Sequence, residues 1–392
     1  MTQKANSENS NKGATMASQV YFAKLTIKNP ADNKLAKIRR ICKACALEEK
    51  VKPLEDTGED QLVAVKVHFG ERGNDTYVHP TFVREVVDQI REAGAHPFLT
   101  DTCTLYKAFR HNGVDHLETA YLHGFTPYVV NAPVVIADGV NSNAWREVPV
   151  GLKHFEKVKI ADAFLSSNAM VVISHFKGHA FGGFGGAIKN LAMGCAPREG
   201  KIDQHGRNIV ITDNCVGCGQ CVKICPQKAL SLEKAEKGRH CVIDKEKCFG
   251  CYECMSVCKY GGISIDMPNE YEDFSERMVE YAYGAIKGKE GRLLFISFLM
   301  NITPQCDCAG WSDPVLVPDI GILASTDPVA LDTACFDMVR DTPSLRKIGE
   351  HECHTTGYDK FQAEHPQTRG YHQVVYAESI GMGSREYELI PV

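Results

Sequence analysis

The chain has 392 residues, 44% hydrophobic and 24% charged, with 17 cysteines and a formal net charge of -5. That composition suits a large buried core in two or three domains, and the acidic balance weighs against nucleic acid, which calls for a basic patch. No stretch approaches the roughly 20 apolar residues that span a bilayer, and the polar start MTQKANSENSNKGATMASQ lacks the apolar run of a signal peptide.

A disordered leader is therefore expected over residues 1–18, with no membrane partner. The thiols are expected to be kept reduced in a cytoplasm. Val20–Leu25 reads as a first strand. Cys42 and Cys45 follow at helical spacing; with no second pair nearby, packing is favoured over a metal or dithiol role. Leu62–Val67 is an apolar, β-branched run, expected as a buried strand. Pro80–Ala93 carries apolar residues at Phe82, Val83, Val86, Val87 and Ile90 and stops at Gly94, which predicts a helix. Strands are expected at Pro97–Thr100, Val134–Ala137 and Met170–Ser174, with helices at Asp115–His123 and Ala161–Leu165. Tyr271–Lys287 reads as a helix, and Leu293–Phe298 and Ile320–Ser325 as strands. Asp327 then caps a helix that starts at Pro328 and runs through Asp332 and Cys335. Repeated strand–helix alternation predicts an α/β class with a mostly parallel, doubly wound sheet, built from residues 19–207 and 269–392.

Residues 208–268 interrupt that pattern. NCVGCGQCVKICP carries Cys215, Cys218, Cys221 and Cys225, and KCFGCYECMSVCK carries Cys248, Cys251, Cys254 and Cys258. This is the C-x-x-C-x-x-C-x-x-x-C run of bacterial-type ferredoxins, twice over. Three closely spaced thiolates wrap three corners of an iron–sulfur cube, and the last cysteine of each run ligates the other cube. Two 4Fe-4S clusters are expected, one on Cys215, Cys218, Cys221 and Cys258, the other on Cys248, Cys251, Cys254 and Cys225. Zinc sites pair C-x-x-C units rather than triplets with a trailing fourth cysteine, and disulfides suit export. The insert is predicted to be an α+β, bacterial-ferredoxin-like domain. About sixty residues bury little core, so its clusters should supply much of its folding energy.

In an open parallel sheet, ligands sit beyond the carboxyl ends of the strands. Here those ends lead into His68, Asp101, Asp138, His175, Cys306 and Asp327. Six such loops predict a cleft. The richest is HFKGHAFGGFGGAIKNLAMGC, in which Gly182, Gly183, Gly185 and Gly186 open onto a helix at Ala187–Met193. That geometry aims backbone N–H groups and a helix N-terminus at an anion. It is neither a P-loop nor a GxGxxG fingerprint. His175, Lys177, His179 and Lys189 are the candidate catalytic residues. Gly183, Gly186, Asn190, His68 and Asp101 are candidate contacts to a substrate or small cofactor. Cys195, Cys306 and Cys308 are candidates for a third metal centre or a reactive thiol, set against plain reduced cysteine. Cys103, Cys241, Cys335 and Cys353 read as structural.

The stretches KVHFGERGN, LTDTCTLY, IADG, SHFKGHAFGGFGGAIKNLAMGC, TPQCDC and DIGILASTDPVALD, with the cysteine insert, resemble the cluster-binding family catalogued as domain of unknown function 362. The likeness covers most of Val63–Ala334 and implies no assigned reaction. A looser likeness is to the N-terminal domain of nickel-dependent lactate racemases. It implies His175 or His179 as metal ligand or base and Lys189 as the lysine that anchors a nickel–pincer nucleotide. FGGFGGAIKN has an extra residue before that lysine, and those racemases lack the insert.

Three functions are carried forward. In the first, a cytoplasmic oxidoreductase takes electrons from a small ferredoxin- or flavodoxin-type donor and acts on a small anionic substrate. Lys177 and Lys189 bind the anion and His175 or His179 moves protons. In the second, the chain is a non-catalytic electron carrier. In the third, it is a non-redox, racemase-like enzyme with structural clusters.

Overall fold

The structure, a computed structural model, describes residues 17–53, 60–206, 209–235, 238–248, 250, 253–265 and 270–392. Cys251 and residues 1–16 of the expected leader lie outside them. The first strand, Ser18–Lys24, starts inside the stretch assigned to that leader, because Ser18 pairs with Tyr387 of a C-terminal strand.

The apolar runs become one eight-stranded sheet. Its order is Tyr387–Pro391, Ser18–Lys24, Gly321–Ser325, Leu293–Leu299, Ala169–His175, Leu62–Val67, His96–Asp101 and Val134–Ile136. Among the described residues, five of its seven pairings are parallel. The two antiparallel ones both involve Gly321–Ser325. Side chains alternate between two cores. Ala64, Met170, Val172, Phe295 and Leu323 face one, packed by helices Ala187–Cys195, Glu270–Ile286 and Pro328–Asp341. Val65, Val171, Ile173, Leu294 and Ile296 face the other, packed by helices Lys34–Ala44 and Pro80–Glu92. Covering both faces explains why these strands read as continuous apolar runs.

One expectation is corrected. Gly321–Ser325 runs against both neighbours, so Thr326 and Asp327 lie at the opposite edge of the sheet from the other five loops. An apolar run carries no direction, and no helix separates Leu299 from Gly321, so none of the crossover a parallel pair requires is present. Asp327 caps its own helix and accepts the Ser18 hydroxyl.

Among its described residues, the cysteine-rich segment adds no strand to the main sheet. It forms two antiparallel pairs, Ile209–Ile211 with Ile263–Ile265 and Leu230–Ala235 with Gly238–Ile243. Short helices at Gln220–Ile224 and Glu253–Ser256 complete it, around a small core of its own. No helix among the described residues is long and apolar enough to cross a membrane.

Phe184 is fully buried and its ring lies 5.1 Å from that of Phe176, 5.5 Å from Phe336 and 6.1 Å from Phe361. Phe184→Ala should cost about 3–5 kcal/mol in chemical denaturation. Tyr128→Ala, at a residue 93% exposed, should stay within roughly 0.5 kcal/mol of the parent. Equal losses would show that the aromatic cluster is not part of the packed core.

Candidate functional site

The glycine-rich loop folds as a short antiparallel pair, Lys177–His179 with Gly183–Gly185, before the helix Ala187–Cys195 begins. Gly183 has φ +72°, a side chain there would strike the backbone of Gly370, and it is not among the residues that line the cavity below. At Gly186 a Cβ would collide with the carboxylate of Asp332. That carboxylate accepts the N–H of Ala187 (2.7 Å) and of Ile188 (2.9 Å). The helix N-terminus that the sequence aims at an outside anion is therefore taken by a carboxyl group of the chain itself.

Below it opens a cavity of about 310 Å³. Gly186, Lys189, Asn190, Met193 and Gly194 line one wall. Their spacing, i, i+3, i+4, i+7 and i+8, is one face of the helix. Cys195 is the next position round; it is buried in the core and does not line the cavity. His68, Asp101, Lys66 and Arg110 line it too, with Lys66 and Asp101 lying against the helix at Gly194, and Lys177, His179, Cys306, Cys308, Lys201 and His205 contribute as well. The lining thus holds five cationic side chains and one carboxylate, which favours a small anion.

Each of these groups is fixed by neighbours. Lys66 Nζ bonds Asn190 Oδ1 (2.6 Å) and pairs with Asp101 Oδ1 (3.1 Å). Asn190 in turn donates to the Ile173 carbonyl (2.9 Å) and the Ser174 hydroxyl (3.0 Å). Arg110 pairs with Glu71 (3.2 Å) and donates to the Tyr106 hydroxyl (2.6 Å), which donates to the Cys308 carbonyl (2.8 Å). His175 does not line the cavity. Its ring nitrogens face Asp307 Oδ1 (2.8 Å) and the Asn301 carbonyl (3.0 Å), so it positions Asp307. Lys177 Nζ donates to the His175 carbonyl (2.9 Å) and lies 3.4 Å from Asp307 Oδ2.

Burial sets the protonation of the rest. It holds His68 and His179 well below the ordinary imidazole range, helped by Arg110 and Lys189 respectively. It brings His205 to about 3 and Lys201 down to about 8. Burial pulls Lys177 down as well, but Asp307 and the two thiols outweigh it and its pKa rises. The hydrogen bond from Cys308, with Lys189 Nζ 3.6 Å from the Cys306 sulfur, holds the Cys306 thiol well below its ordinary range. Sequence reasoning missed Lys66, Arg110 and Lys201. A lysine inside the apolar run LVAVKV was the available signal, since a buried charge needs a partner.

In the insert, Cys215, Cys218 and Cys221 line one small cavity together with Cys258. Cys225 lines a second with Cys248 and Cys254. Sulfur atoms accept backbone N–H groups: Cys215 from Cys241 (3.4 Å), Cys225 from Ala229 (3.2 Å) and Cys258 from Gly262 (3.2 Å). Cys241, read as structural, also lines the first cavity, with its sulfur 3.5 Å from that of Cys221. Among the described residues, no three of the insert's thiols come within 4.8 Å of one another, the reach of a single ion. The donor set and its spacing fit two cubane clusters. The insert touches the cleft wall where the Lys107 N–H donates to Glu253 Oε1 (2.9 Å), beside Tyr106 on one side and Cys254 on the other.

Burial pushes the Asp332 carboxyl up to about 7, with the two N–H donors pulling the other way. A carboxyl raised in the folded state makes folding take up a proton, so this group's contribution to stability falls as pH rises from about 4 to about 7. Asp332→Asn removes the titration. Its denaturation midpoint should change less than the parent's between pH 5 and pH 7.5; equal changes would show a carboxylate ionised throughout.

No curated relative matches the sequence. Among solved structures, the lactate racemase apoprotein from Thermoanaerobacterium thermosaccharolyticum is similar at 13% identity and a TM-score of 0.43, over 82% of this chain and 58% of that one. A protein from Thermotoga maritima is similar at 12% identity and a TM-score of 0.33, over 74% of this chain and 55% of that one. The chain thus spans a little over half the length of these structures. A profile described as Domain of unknown function (DUF362) matches residues 63–337, well over half of the sequence, and the chain belongs to that family.

Proposed function

We propose that the chain is a cytoplasmic iron–sulfur oxidoreductase holding two 4Fe-4S clusters, with a cleft that takes a small anionic substrate. The observation that carries the reading is the exchange of fourth cysteines. Cys258 lies with the first run and Cys225 with the second, around two separate cavities. Bound clusters of this kind supply single electrons at low potential, and a small ferredoxin- or flavodoxin-type protein is the donor that chemistry calls for.

The cleft's own residues take the remaining roles. Lys189 and Lys177 hold the anion. The imidazoles that face the cavity are His68, His179 and His205, and the group that moves a proton is drawn from them, while His175 positions Asp307. Lys66 and Asn190 brace the helix wall. A carrier without catalysis has no use for five cations converging on one cavity, and the Lys107–Glu253 bond ties that cavity to the insert.

Protein purified without oxygen should contain about eight iron and eight acid-labile sulfide per chain. Cys258→Ser and Cys225→Ser should each bring both counts toward about four, one cluster's worth. Parent protein without iron or labile sulfide sinks the reading.

A further inference from the structure

We propose that the cleft holds a metal site of its own: a single borderline-soft divalent ion, Zn2+ or Fe2+, bound by Cys306 Sγ, Cys308 Sγ and His179, with a fourth position open to the cavity. The proposal rests on the cavity being the substrate site; it does not depend on the clusters in the insert.

One ligand atom from each of the three residues lies within 4.8 Å of the other two. All three line the cavity. The expected third thiol, Cys195, is not in this group; it sits on another face of its helix, and His179 stands in its place. The two sulfurs are held ready by the residue between them. Asp307 is fully buried and bonded to His175 (2.8 Å) and Thr76 (3.2 Å), and its carbonyl accepts the Glu71 N–H (2.8 Å). With the middle side chain locked into the core, the flanking side chains are left to face the cavity. Outer hydrogen bonds of this kind are what orient metal ligands. The ring of His179 is fixed too. Its Nδ1 accepts the N–H groups of Gly182 (2.8 Å) and Phe181 (3.3 Å), so Nε2 carries the ring proton and is the nitrogen an ion would claim by displacing that proton to solvent.

The donor set selects the ion. Thiolate and imidazole suit zinc or ferrous iron, not magnesium or calcium. Three protein ligands with one open position mark catalytic rather than structural sites. Two thiolates neutralise a divalent ion, so Lys177 and Lys189 keep their charge for an anion bound at the open position. Lys189 Nζ, 3.6 Å from the Cys306 sulfur, also favours the thiolate form that a metal needs.

The test uses the full chain, purified without oxygen, stripped of loosely held ions and titrated with Zn2+. One Zn2+ should bind tightly per chain, and zinc X-ray absorption should show two sulfurs at about 2.3 Å with lighter ligands at about 2.0–2.1 Å. Cys306→Ser should abolish that binding and His179→Gln should weaken it at least about tenfold, both with unchanged iron and sulfide. Should Cys306→Ser fail to fold, Cys308→Ser reads the same loss. A four-sulfur shell, full zinc binding in Cys306→Ser, or a Cys306–Cys308 disulfide in the protein as purified would overturn the site. A chain lacking iron and sulfide that still binds zinc through two sulfurs would remove the clusters and leave this site standing.

Discussion

A carboxylate with no exposed surface, Asp307, sits between the two thiols of the cleft. Burying an ion costs several kcal/mol unless partners replace its water. Burial opposes the Asp307 charge, and His175 and Lys177 outweigh it, so the carboxyl stays far below its usual range. Both partners come from the end of Ala169–His175 and the residues just after it, on a strand flanked by parallel neighbours on both sides. The loop that carries Cys306 and Cys308 is thereby tied to the middle of the sheet. Its freedom, and so the spacing of its two sulfurs, is set by an ion pair rather than by regular structure.

The same logic extends around the cavity. Lys66, Asp101, Glu71 and Arg110 are all buried charges that find partners in one another. Well-packed apolar residues would serve stability as well or better. Charges retained at that cost point to a site. Lys201, on the same cavity, is brought down to about 8 by burial.

Much of this was legible in the sequence, and the rest was not for identifiable reasons. The buried strands were readable because two covered faces leave no polar alternation. The spacing of the cysteine runs carried a grouping of thiols, and the fold sets Cys258 beside the first run and Cys225 beside the second. The direction of Gly321–Ser325 was not, since an apolar pentapeptide looks alike in both directions. Nor was the cap on the glycine-rich helix. Asp332 lies 144 residues from Ile188, and only the fold brings its carboxylate to that N-terminus. Cys195 was separable in principle. Placed on the helix whose cavity face carries Lys189, Asn190, Met193 and Gly194, it falls off that face. The partnership of His179 with the C-x-C loop had no local signal at all.

The position of the insert carries one more consequence. The helix Arg198–His205 supplies Lys201 and His205 to the cavity, and the insert's first strand begins at Ile209. The same helix packs against Glu270–Ile286, which follows the insert. The cavity wall is thus joined to the insert by chain on both sides and by the Lys107–Glu253 bond across the gap. The insert's own core is small and built largely of cysteine, with little apolar area to hold it. A cofactor bound by those thiols would order the insert and, through these joints, steady the wall of the cleft. Such a cofactor would have a structural effect on the site even before any electron is considered.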